Sequence, residues 1–215
     1  MFSTSPIREV PLFIVMPMFN SSFEYFETYQ ESIAKALGGI RSQSYELGYE
    51  AIKAAGRAGN SIFVCGNGGS ASIAEHFSCD HSKGVHTDTK GLRPNVVSLA
   101  SNMAAITAIG NDLGFNKIFS KQLEFSNADS DDLLVIVSSS GNSPNILNIL
   151  EYASTIGMES IALIGFDGGR AKDLADIVVH VNSSNYGVVE DCHQIIMHSW
   201  AQALRIDEAV SHLKL

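Results

Sequence analysis

Two short loops of glycine, serine and asparagine contain the side chains in this sequence that are best suited to bind an anion. The first spans residues 66–70 (GNGGS) and the second spans residues 138–143 (SSSGNS). Each follows an apolar run and precedes a stretch of helical character, so each would place backbone N–H groups at a helix N-terminus. Serine hydroxyls add donors, and glycine lets the backbone approach a ligand closely. The pair predicts a site for a phosphorylated small molecule.

The first loop also has the spacing of a dinucleotide-binding fingerprint, because residues 66–71 (GNGGSA) satisfy G-x-G-x-x-(G/A). That motif needs an acidic residue after the second strand to hold the ribose, and residues 95–100 (NVVSLA) contain none. A nucleotide P-loop needs a lysine after the glycines, and both loops lack one. The sequence therefore predicts no nucleotide cofactor. The other interpretation is that both loops are only turns between strand and helix.

The loops lie in a regular alternation of apolar runs and helical segments. Strands are predicted at residues 61–65, 95–99, 132–138, 160–165 and 176–181. The run at 133–137 (LLVIV) has no polar alternation, which is typical of a parallel strand buried on both faces. The pattern predicts an α/β fold, a doubly wound five-stranded parallel sheet flanked by helices. In that fold ligands bind beyond the carboxyl ends of the strands, where both loops lie. A third loop, at residues 165–169 (GFDGG), is expected to serve turn geometry.

The chain before the sheet has a helical pattern. Apolar residues fall on one stripe at three- and four-residue steps: Phe23, Phe26, Tyr29, Ile33, Leu37 and Ile40. Gly38 and Gly39 mark a break, so the pattern predicts a pair of helices, which could pack on the core or on another subunit. The predicted organisation is an extension at residues 1–20, the helical pair at 21–60 and an α/β core at 61–215, the last two forming a single domain.

Composition limits the classes of function. The net charge of −9 over 215 residues argues against a broad nucleic-acid surface. The apolar N-terminal stretch is interrupted by prolines and is too short to span a bilayer, so no membrane association is expected. Three cysteines without a CxxC pair are typical of free thiols in a reducing compartment. The sequence therefore predicts a cytoplasmic globular protein.

Four motifs, in their order and spacing, resemble the sugar isomerase (SIS) family, and within it the phosphoheptose isomerases. They are residues 66–70, 110–116 (GNDLGFN), 138–143 and 167–169 (DGG). Members of this subfamily convert sedoheptulose 7-phosphate to D-glycero-D-manno-heptose 7-phosphate. The resemblance extends from about residue 22 to the C-terminus. A related non-catalytic member, which binds the bacterial replication initiator, shares the same motifs.

The resemblance implies specific roles for residues of this chain. The residues that it places around the phosphorylated sugar are Asn67, Gly68, Ser70, Asp112, Ser138, Ser139, Ser140, Ser143 and Glu190. Zinc-binding members use four side chains, whose positions are occupied here by His76, Asp80, Glu190 and His198. The resemblance also implies a homotetramer with sites between subunits.

Two of these four positions depart from the family's pattern. Asp80 stands where the family has glutamate, and Glu190 stands where it has glutamine. Both keep an oxygen that can bind a metal or transfer a proton. His76 and Asp80 are four residues apart, so they share one helix face and could hold one zinc ion. Glu190 and His198 are eight residues apart, which separates them by about 80° around an ideal helix. They could converge only on a bulky group, such as a substrate lying along the helix.

An aldose–ketose isomerase moves a proton between C1 and C2 through a cis-enediol, and so needs a base, an acid and a grip on the distal phosphate. We expect Asp80 or Glu190 as the base and His198 as the acid, in an enzyme that supplies heptose for a surface polysaccharide. A non-catalytic sugar-phosphate-binding or partner-binding module, and an isomerase of another phosphosugar, are the alternatives. Four further side chains are candidates near this site: His81, His86, Asp191 and His193, the last expected as a polar contact at a subunit boundary.

Overall fold

In the computed structural model the described residues are 19–89 and 91–211. Their centre is a five-stranded sheet of parallel strands in the order β2-β1-β3-β4-β5. The strands are β1 (Ser61–Gly66), β2 (Asn95–Ser98), β3 (Leu133–Ser138), β4 (Glu159–Ile164) and β5 (Ile177–His180). The five predicted strands and the doubly wound parallel sheet are confirmed. Most of the predicted extension at residues 1–20 lies outside the described residues.

Helices connect the strands and cover both faces of the sheet. They are α1 (Ser22–Gly38), α2 (Ser42–Ala58), α3 (Gly69–Cys79), α4 (His86–Asp88), α5 (Met103–Asp112), α6 (Ser120–Phe125), α7 (Pro144–Thr155), α8 (Ala171–Leu174) and α9 (Tyr186–Ser211). A π-helical segment, Asp80–Val85, joins α3 to α4, and a short 3-10 helix, Phe115–Lys117, follows α5. No described helix is both long enough and apolar enough to cross a membrane.

The two faces of the sheet bury separate apolar clusters. All six residues of β3 are buried, and they alternate between the faces. Val135 belongs to the apolar cluster that includes residues of α2, α3 and α9, whereas Ile136 belongs to the cluster that includes residues of α5 and α7. This double burial explains why the strand has no polar alternation. Trp200 of α9 is fully buried, and its ring lies so close to Gly48 that a Cβ at that position would be 2.8 Å away.

The predicted helical pair is confirmed, with its break beside Gly39. Ser21 caps α1 by accepting the backbone N–H of Glu24 at 3.1 Å, and Gly59, the residue that follows α2, has the left-handed conformation (φ 78°). The predicted apolar stripe packs on the core only in its second half. Phe23 and Phe26 remain 65% and 50% exposed, because the first turns of α1 extend past the apolar cluster.

Candidate active site

The two serine and glycine loops meet because their strands are neighbours. β1 and β3 pair in parallel, with Gly66 opposite Val137, so both loops leave the same edge of the sheet. Between them lies a cavity of about 210 Å³, which we call the serine cavity. Its lining residues are Asn67, Ser70, Val137, Ser138, Ser139, Ser140, Ser143, Tyr186 and Glu190. The structure therefore brings together most of the side chains that the sequence placed around a phosphorylated sugar.

The cavity offers neutral donors and two helix N-termini. α3 begins at Gly69, and Ser143 precedes the first residue of α7. Such helix ends favour an anion through their unpaired N–H groups. Ser139 Oγ is buried and has no hydrogen-bond partner among the described residues, so its O–H is available to a ligand. None of the described residues that line the cavity is a lysine or arginine, so these donors would bind a phosphate without a cationic side chain.

The second loop, residues 138–143, which we call the serine loop, is stabilised by a hydrogen bond within it and by contacts with the loop at residues 165–169. Ser138 Oγ accepts the backbone N–H of Gly141 at 3.2 Å. Gly141 has a φ of 61° and touches the Gly165–Gly169 loop, so that a Cβ there would overlap the Gly168 carbonyl. The backbone N–H of Gly165 donates to Ser139 O at 3.1 Å. The glycines of the third loop thus provide turn geometry, as predicted, and also a close backbone support for the serine loop.

A pair of asparagine side chains ties the two loops together. Asn67 Nδ2 donates to Asn145 Oδ1 at 2.9 Å, and Asn145 Nδ2 donates back to Asn67 Oδ1 at 2.8 Å. Asn145 is almost fully buried, so this reciprocal bond is protected from water. Asn67 was predicted near the sugar, and the structure also gives it this bridging contact. Asn145 was missed, although it lies only two residues beyond the second loop.

Glu190 reaches the cavity from α9. Its carboxylate lies against Gly69, where a Cβ would be only 2.7 Å from Glu190 Cδ. Only glycine at position 69 leaves room for this approach. Burial raises the pKa of Glu190, and the negative charge of Asp191 raises it further. The cavity thus contains one carboxyl group with an increased affinity for a proton.

A second group of side chains lies where α3 and α9 meet. His76, Asp80 and His198 place their ligand atoms within 4.8 Å of one another. His76 Nε2 lies 3.4 Å from Asp80 Oδ1 and 3.3 Å from His198 Nε2, and His198 Nε2 lies 3.4 Å from Asp80 Oδ2. We call these three residues the histidine cluster. Their side chains are 48%, 32% and 38% exposed in the order His76, Asp80 and His198, so the cluster is open to ligands.

The donor atoms of the histidine cluster fit a zinc ion. Two imidazole nitrogens and one carboxylate oxygen are ligands that zinc prefers. In a tetrahedral zinc site neighbouring donor atoms lie about 3.3–3.6 Å apart, because each is about 2.0–2.2 Å from the metal. The three cluster distances of 3.3, 3.4 and 3.4 Å fall in this range.

The structure gathers three of the four predicted metal positions but leaves Glu190 apart. Its carboxylate lies against Gly69 in the serine cavity, whereas His198 lies two helical turns farther along α9. The physical reason is the eight-residue spacing, which places the two Cα atoms about 12 Å apart along the helix, so the two side chains would meet only at a bulky group between them.

Other predicted residues lie elsewhere. Gly68 precedes α3 with a φ of 57°, and Asp112 is exposed at the end of α5, where its Oδ1 accepts Asn111 Nδ2 at 2.7 Å. Neither lines the cavity of its own chain.

The additional histidines and Asp191 belong to other surroundings. His81 is buried and stacks on Phe77 with ring centroids 3.9 Å apart, and His193 is also fully buried. Burial lowers the pKa of both imidazoles to about 4. The prediction of His193 at a subunit boundary is wrong, because it faces the interior of its own chain. His86 is exposed, and Asp191 accepts the Tyr29 hydroxyl at 2.6 Å.

Two further residues adjoin the site and were not anticipated. Tyr186, the first residue of α9, lines the cavity and packs edge-on against Phe166 with ring centroids 4.7 Å apart. Gln194 Nε2 lies 3.0 Å from His198 Nε2. The signal for Gln194 was its position four residues before His198, which puts both on one helix face.

Comparison with known proteins agrees with this geometry. The family model of the SIS domain matches residues 24–165. A phosphoheptose isomerase from Aliarcobacter butzleri (strain RM4018) is 36% identical over 190 residues, which are 87% of this chain and 96% of that protein.

Two solved structures are similar to this chain in their fold. A phosphoheptose isomerase from Francisella tularensis aligns with a TM-score of 0.75 and 30% identity, covering 86% of this chain and 98% of that one. A phosphoheptose isomerase from Neisseria gonorrhoeae aligns with a TM-score of 0.75 and 29% identity, covering 84% of this chain and 94% of that one. The chain therefore belongs to the SIS-domain family and, within it, to the phosphoheptose isomerases.

Proposed function

We propose that this protein is an aldose–ketose isomerase that converts sedoheptulose 7-phosphate to D-glycero-D-manno-heptose 7-phosphate through a cis-enediol. Relatives that carry the name phosphoheptose isomerase support the substrate class. One structural observation carries the proposal: α3 and α9 both extend from the serine cavity to the histidine cluster. α3 contributes Ser70 to the cavity and His76 to the cluster, and α9 contributes Tyr186 and Glu190 to the cavity and His198 to the cluster. A sugar phosphate lying along the two helices would meet both groups.

The serine cavity is the proposed binding site for the phosphate of the substrate. Ser70 and the serines of the second loop would donate hydroxyl hydrogen bonds, and the N-termini of α3 and α7 would add backbone donors. The asparagine pair that ties the loops together would keep these donors in a fixed arrangement. Fixing the distal phosphate positions the reacting carbons, which is a large part of the rate enhancement in such reactions.

Glu190 is the proposed base. It lies in the cavity, and its raised pKa suits a carboxylate that must take a proton from C1 and return it at C2. Asp80, the other predicted base, is already in contact with two imidazoles. Glu190 is therefore the carboxylate that is free to transfer the proton between C1 and C2.

His198 is the proposed acid, which moves a proton between the oxygens of C1 and C2. Its imidazole is partly exposed in the cluster, so it is accessible to substrate oxygens. A zinc ion held by His76, Asp80 and His198 would polarise the same oxygens as a Lewis acid.

The assembly and the location are also proposals. We infer a homotetramer with sites between subunits, in keeping with Asp112, which is exposed in its own chain and would meet a neighbouring subunit's sugar site. Exposed Phe23 and Phe26 on α1 offer an apolar surface to such a neighbour. Cytoplasmic location is consistent with the absence of a disulfide among the described residues, in which all three cysteines are free. Residues 21–215 are proposed as one domain, because α1 and α2 pack into the same apolar cluster as the sheet.

The test is turnover of sedoheptulose 7-phosphate by the purified protein, followed by NMR with and without added zinc. The proposal predicts formation of the mannoheptose 7-phosphate, and a lack of product under both conditions would overturn it. Pentose and hexose phosphates in parallel reactions would establish whether a different phosphosugar is preferred.

A further inference from the structure

A second polar cavity lies beside β5, the strand at one edge of the sheet. Its volume is about 270 Å³, somewhat larger than that of the serine cavity, and no described residue lines both. Its lining contains an arginine, a lysine and a histidine but no carboxylate, so we call it the basic cavity. The polar residues of this lining are Arg41, Ser44, Lys172, His180 and Asn182. Such a composition favours an anionic ligand.

The two cations of the basic cavity have no partner within the protein. Among the described residues, no carboxylate lies within 4.0 Å of the Arg41 guanidinium or the Lys172 ammonium, and neither side chain makes a hydrogen bond. Lys121, by contrast, lines a cavity together with Glu124 and forms an ion pair with it. The whole chain has a net charge of −9, so two unpaired cations in one cavity form a local positive region on an acidic protein.

The start of α2 adds backbone donors to the basic cavity. Arg41 precedes the first residue of α2 and makes no capping hydrogen bond with its side chain, and the first turn contains no acidic residue. In α1, Ser21 accepts a backbone N–H and the first turn includes Glu24. The first N–H groups of a helix lack acceptors within the helix, so they bind anions well. An anion in the basic cavity would supply the acceptor that α2 lacks.

His180 connects the basic cavity to the loop that supports the serine loop. Its Nε2 lies 2.9 Å from the carbonyl oxygen of Phe166, and because a carbonyl can only accept, Nε2 carries the proton of this hydrogen bond. Phe166 in turn packs against Tyr186, which lines the serine cavity. The basic cavity is therefore separate from the proposed substrate site, but it is only a few contacts away from it.

The basic cavity also adjoins a larger one. Asn182 lines both, and the larger cavity, of about 900 Å³, is lined in addition by Lys35, Phe166 and Ser183. A phosphate group beside Arg41 and Lys172 would therefore leave room for the rest of a small polar molecule to extend past Asn182. The two cavities together fit a phosphate ester as well as a free phosphate ion.

We propose that the basic cavity is a second anion site, which binds a phosphate group through Arg41, Lys172 and the start of α2. The phosphate is either the free ion or part of a small phosphorylated metabolite. Since the serine cavity shares no described lining residue with this site, one chain would bind two phosphate groups at the same time. The inference goes beyond the proposed isomerase activity and does not depend on it, because binding is measured without turnover.

The experiment is equilibrium dialysis of the purified protein against radiolabelled inorganic phosphate at low ionic strength, where charge interactions are least screened. We expect two phosphate ions per chain in the wild-type protein. Arg41→Gln and Lys172→Gln should each weaken one site by about 10–100-fold, which corresponds to the loss of one hydrogen bond to a charged group. The other site should keep its affinity. Ser139→Ala should have the opposite effect, weakening the site that the first two variants leave unchanged.

Two variants and a second probe complete the test. Lys117→Gln removes the same charge from an exposed position whose cavity also contains Glu124 and Glu151, so it should leave both sites unchanged. Lys172→Arg keeps the positive charge and should retain binding. Competition by glycerol 3-phosphate at the site that Lys172→Gln weakens would identify a phosphorylated metabolite as the ligand. Binding of inorganic phosphate alone would identify the free ion, and either result supports the site.

The opposite results are equally clear. The proposal would be overturned by a single phosphate ion per chain that is lost in Ser139→Ala, or by unchanged binding in both Arg41→Gln and Lys172→Gln. A loss in Lys117→Gln as large as that in Lys172→Gln would also overturn it, because the effect would then come from the net charge. Thermal unfolding of each variant at the wild-type temperature would establish that the losses are local.

Discussion

The serine cavity and the histidine cluster are built in opposite ways. The cavity is formed by loops at the ends of two adjacent strands, and its donors are neutral groups fixed by backbone contacts. The cluster is formed by side chains of α3, of the π-helical segment that follows it and of α9, from positions as far apart in sequence as His76 and His198. The proposed phosphate site therefore follows from the topology of the sheet. The proposed proton-transfer and metal-binding roles depend instead on which residues occupy a few helical positions.

The largest effect is expected from Glu190→Gln, which removes the proposed base and leaves both regions otherwise intact. General base catalysis contributes about 10²–10⁴-fold, so kcat should fall by that factor while KM changes little. Steady-state kinetics with sedoheptulose 7-phosphate provide the measurement. Glu75→Gln, at an exposed position of α3, is the control. A kcat within threefold of the wild-type value would contradict this assignment and would indicate that Asp80, in the histidine cluster, is the base.

Gly69→Ala should displace the proposed base, Glu190, from its position in the serine cavity and leave the histidine cluster unchanged. A Cβ at this position would overlap the Glu190 carboxylate and push it aside. A displacement of about 1 Å can cost roughly 10²-fold in rate, so we expect a loss of that size in kcat. Zinc affinity should stay at the wild-type value.

The matched control for this variant is Gly38→Ala. Nothing lies within 4 Å of a Cβ at position 38, so activity should be retained. If Gly69→Ala lost zinc affinity as well as activity, the separation of the two regions would be refuted.

Ser139→Ala should act on binding rather than on chemistry. The Ser139 hydroxyl is buried and has no protein partner among the described residues, so its loss removes only the bond to the phosphate. A hydrogen bond to a charged group is worth about 1.5–3 kcal/mol, which predicts an increase in KM of about 10–100-fold with kcat nearly unchanged. Ser154→Ala, on the exposed side of α7, should have no effect. A fall in kcat with unchanged KM would contradict the assignment of the cavity to the phosphate.

The smallest expected effect is on stability. The folded-state pKa of Glu190 is raised by burial, so protonation favours the folded state. The corresponding stability is fully present below the ordinary glutamate pKa of about 4.3 and is lost as the pH rises through the higher folded-state value. Glu190→Gln should therefore unfold at a higher temperature than the wild-type protein at pH 7, and the difference should shrink at acidic pH. A difference that is constant across pH would show that the effect does not come from the carboxyl charge.

The two regions also differ in how far the sequence could predict them. The strands, the helical break at Gly39 and both serine loops were predictable, because buried parallel strands and glycine-rich turns have local signatures. The parallel sheet placed both loops at one edge, and they meet there because β1 and β3 are neighbouring strands. The predicted pattern did not include Asn145, whose bond with Asn67 depends on how the loops pack against each other.

The histidine cluster was accessible only through resemblance. Its members come from parts of the chain that are far apart in sequence, and helical spacing tells which residues share a face but not which partner that face meets. The resemblance assigned Glu190 both to the sugar site and to the metal positions, and in the structure its carboxylate lines the serine cavity. His193 was expected at a subunit boundary, whereas the packing of α9 turns it to the interior. Gln194 lies four residues before His198, a spacing that places both on one helix face, but it belongs to no motif that would have predicted its contact with His198.

The most direct test of the central claim, that Glu190 moves the proton at carbon for a substrate held by the serine cavity, is solvent exchange. The protein is incubated with sedoheptulose 7-phosphate in D₂O, and deuterium at C2 of the product and at C1 of the remaining substrate is followed by NMR. We predict exchange with the wild-type protein and a loss of about 10²-fold or more in Glu190→Gln, with substrate binding retained. Exchange at the wild-type rate in Glu190→Gln would contradict the account.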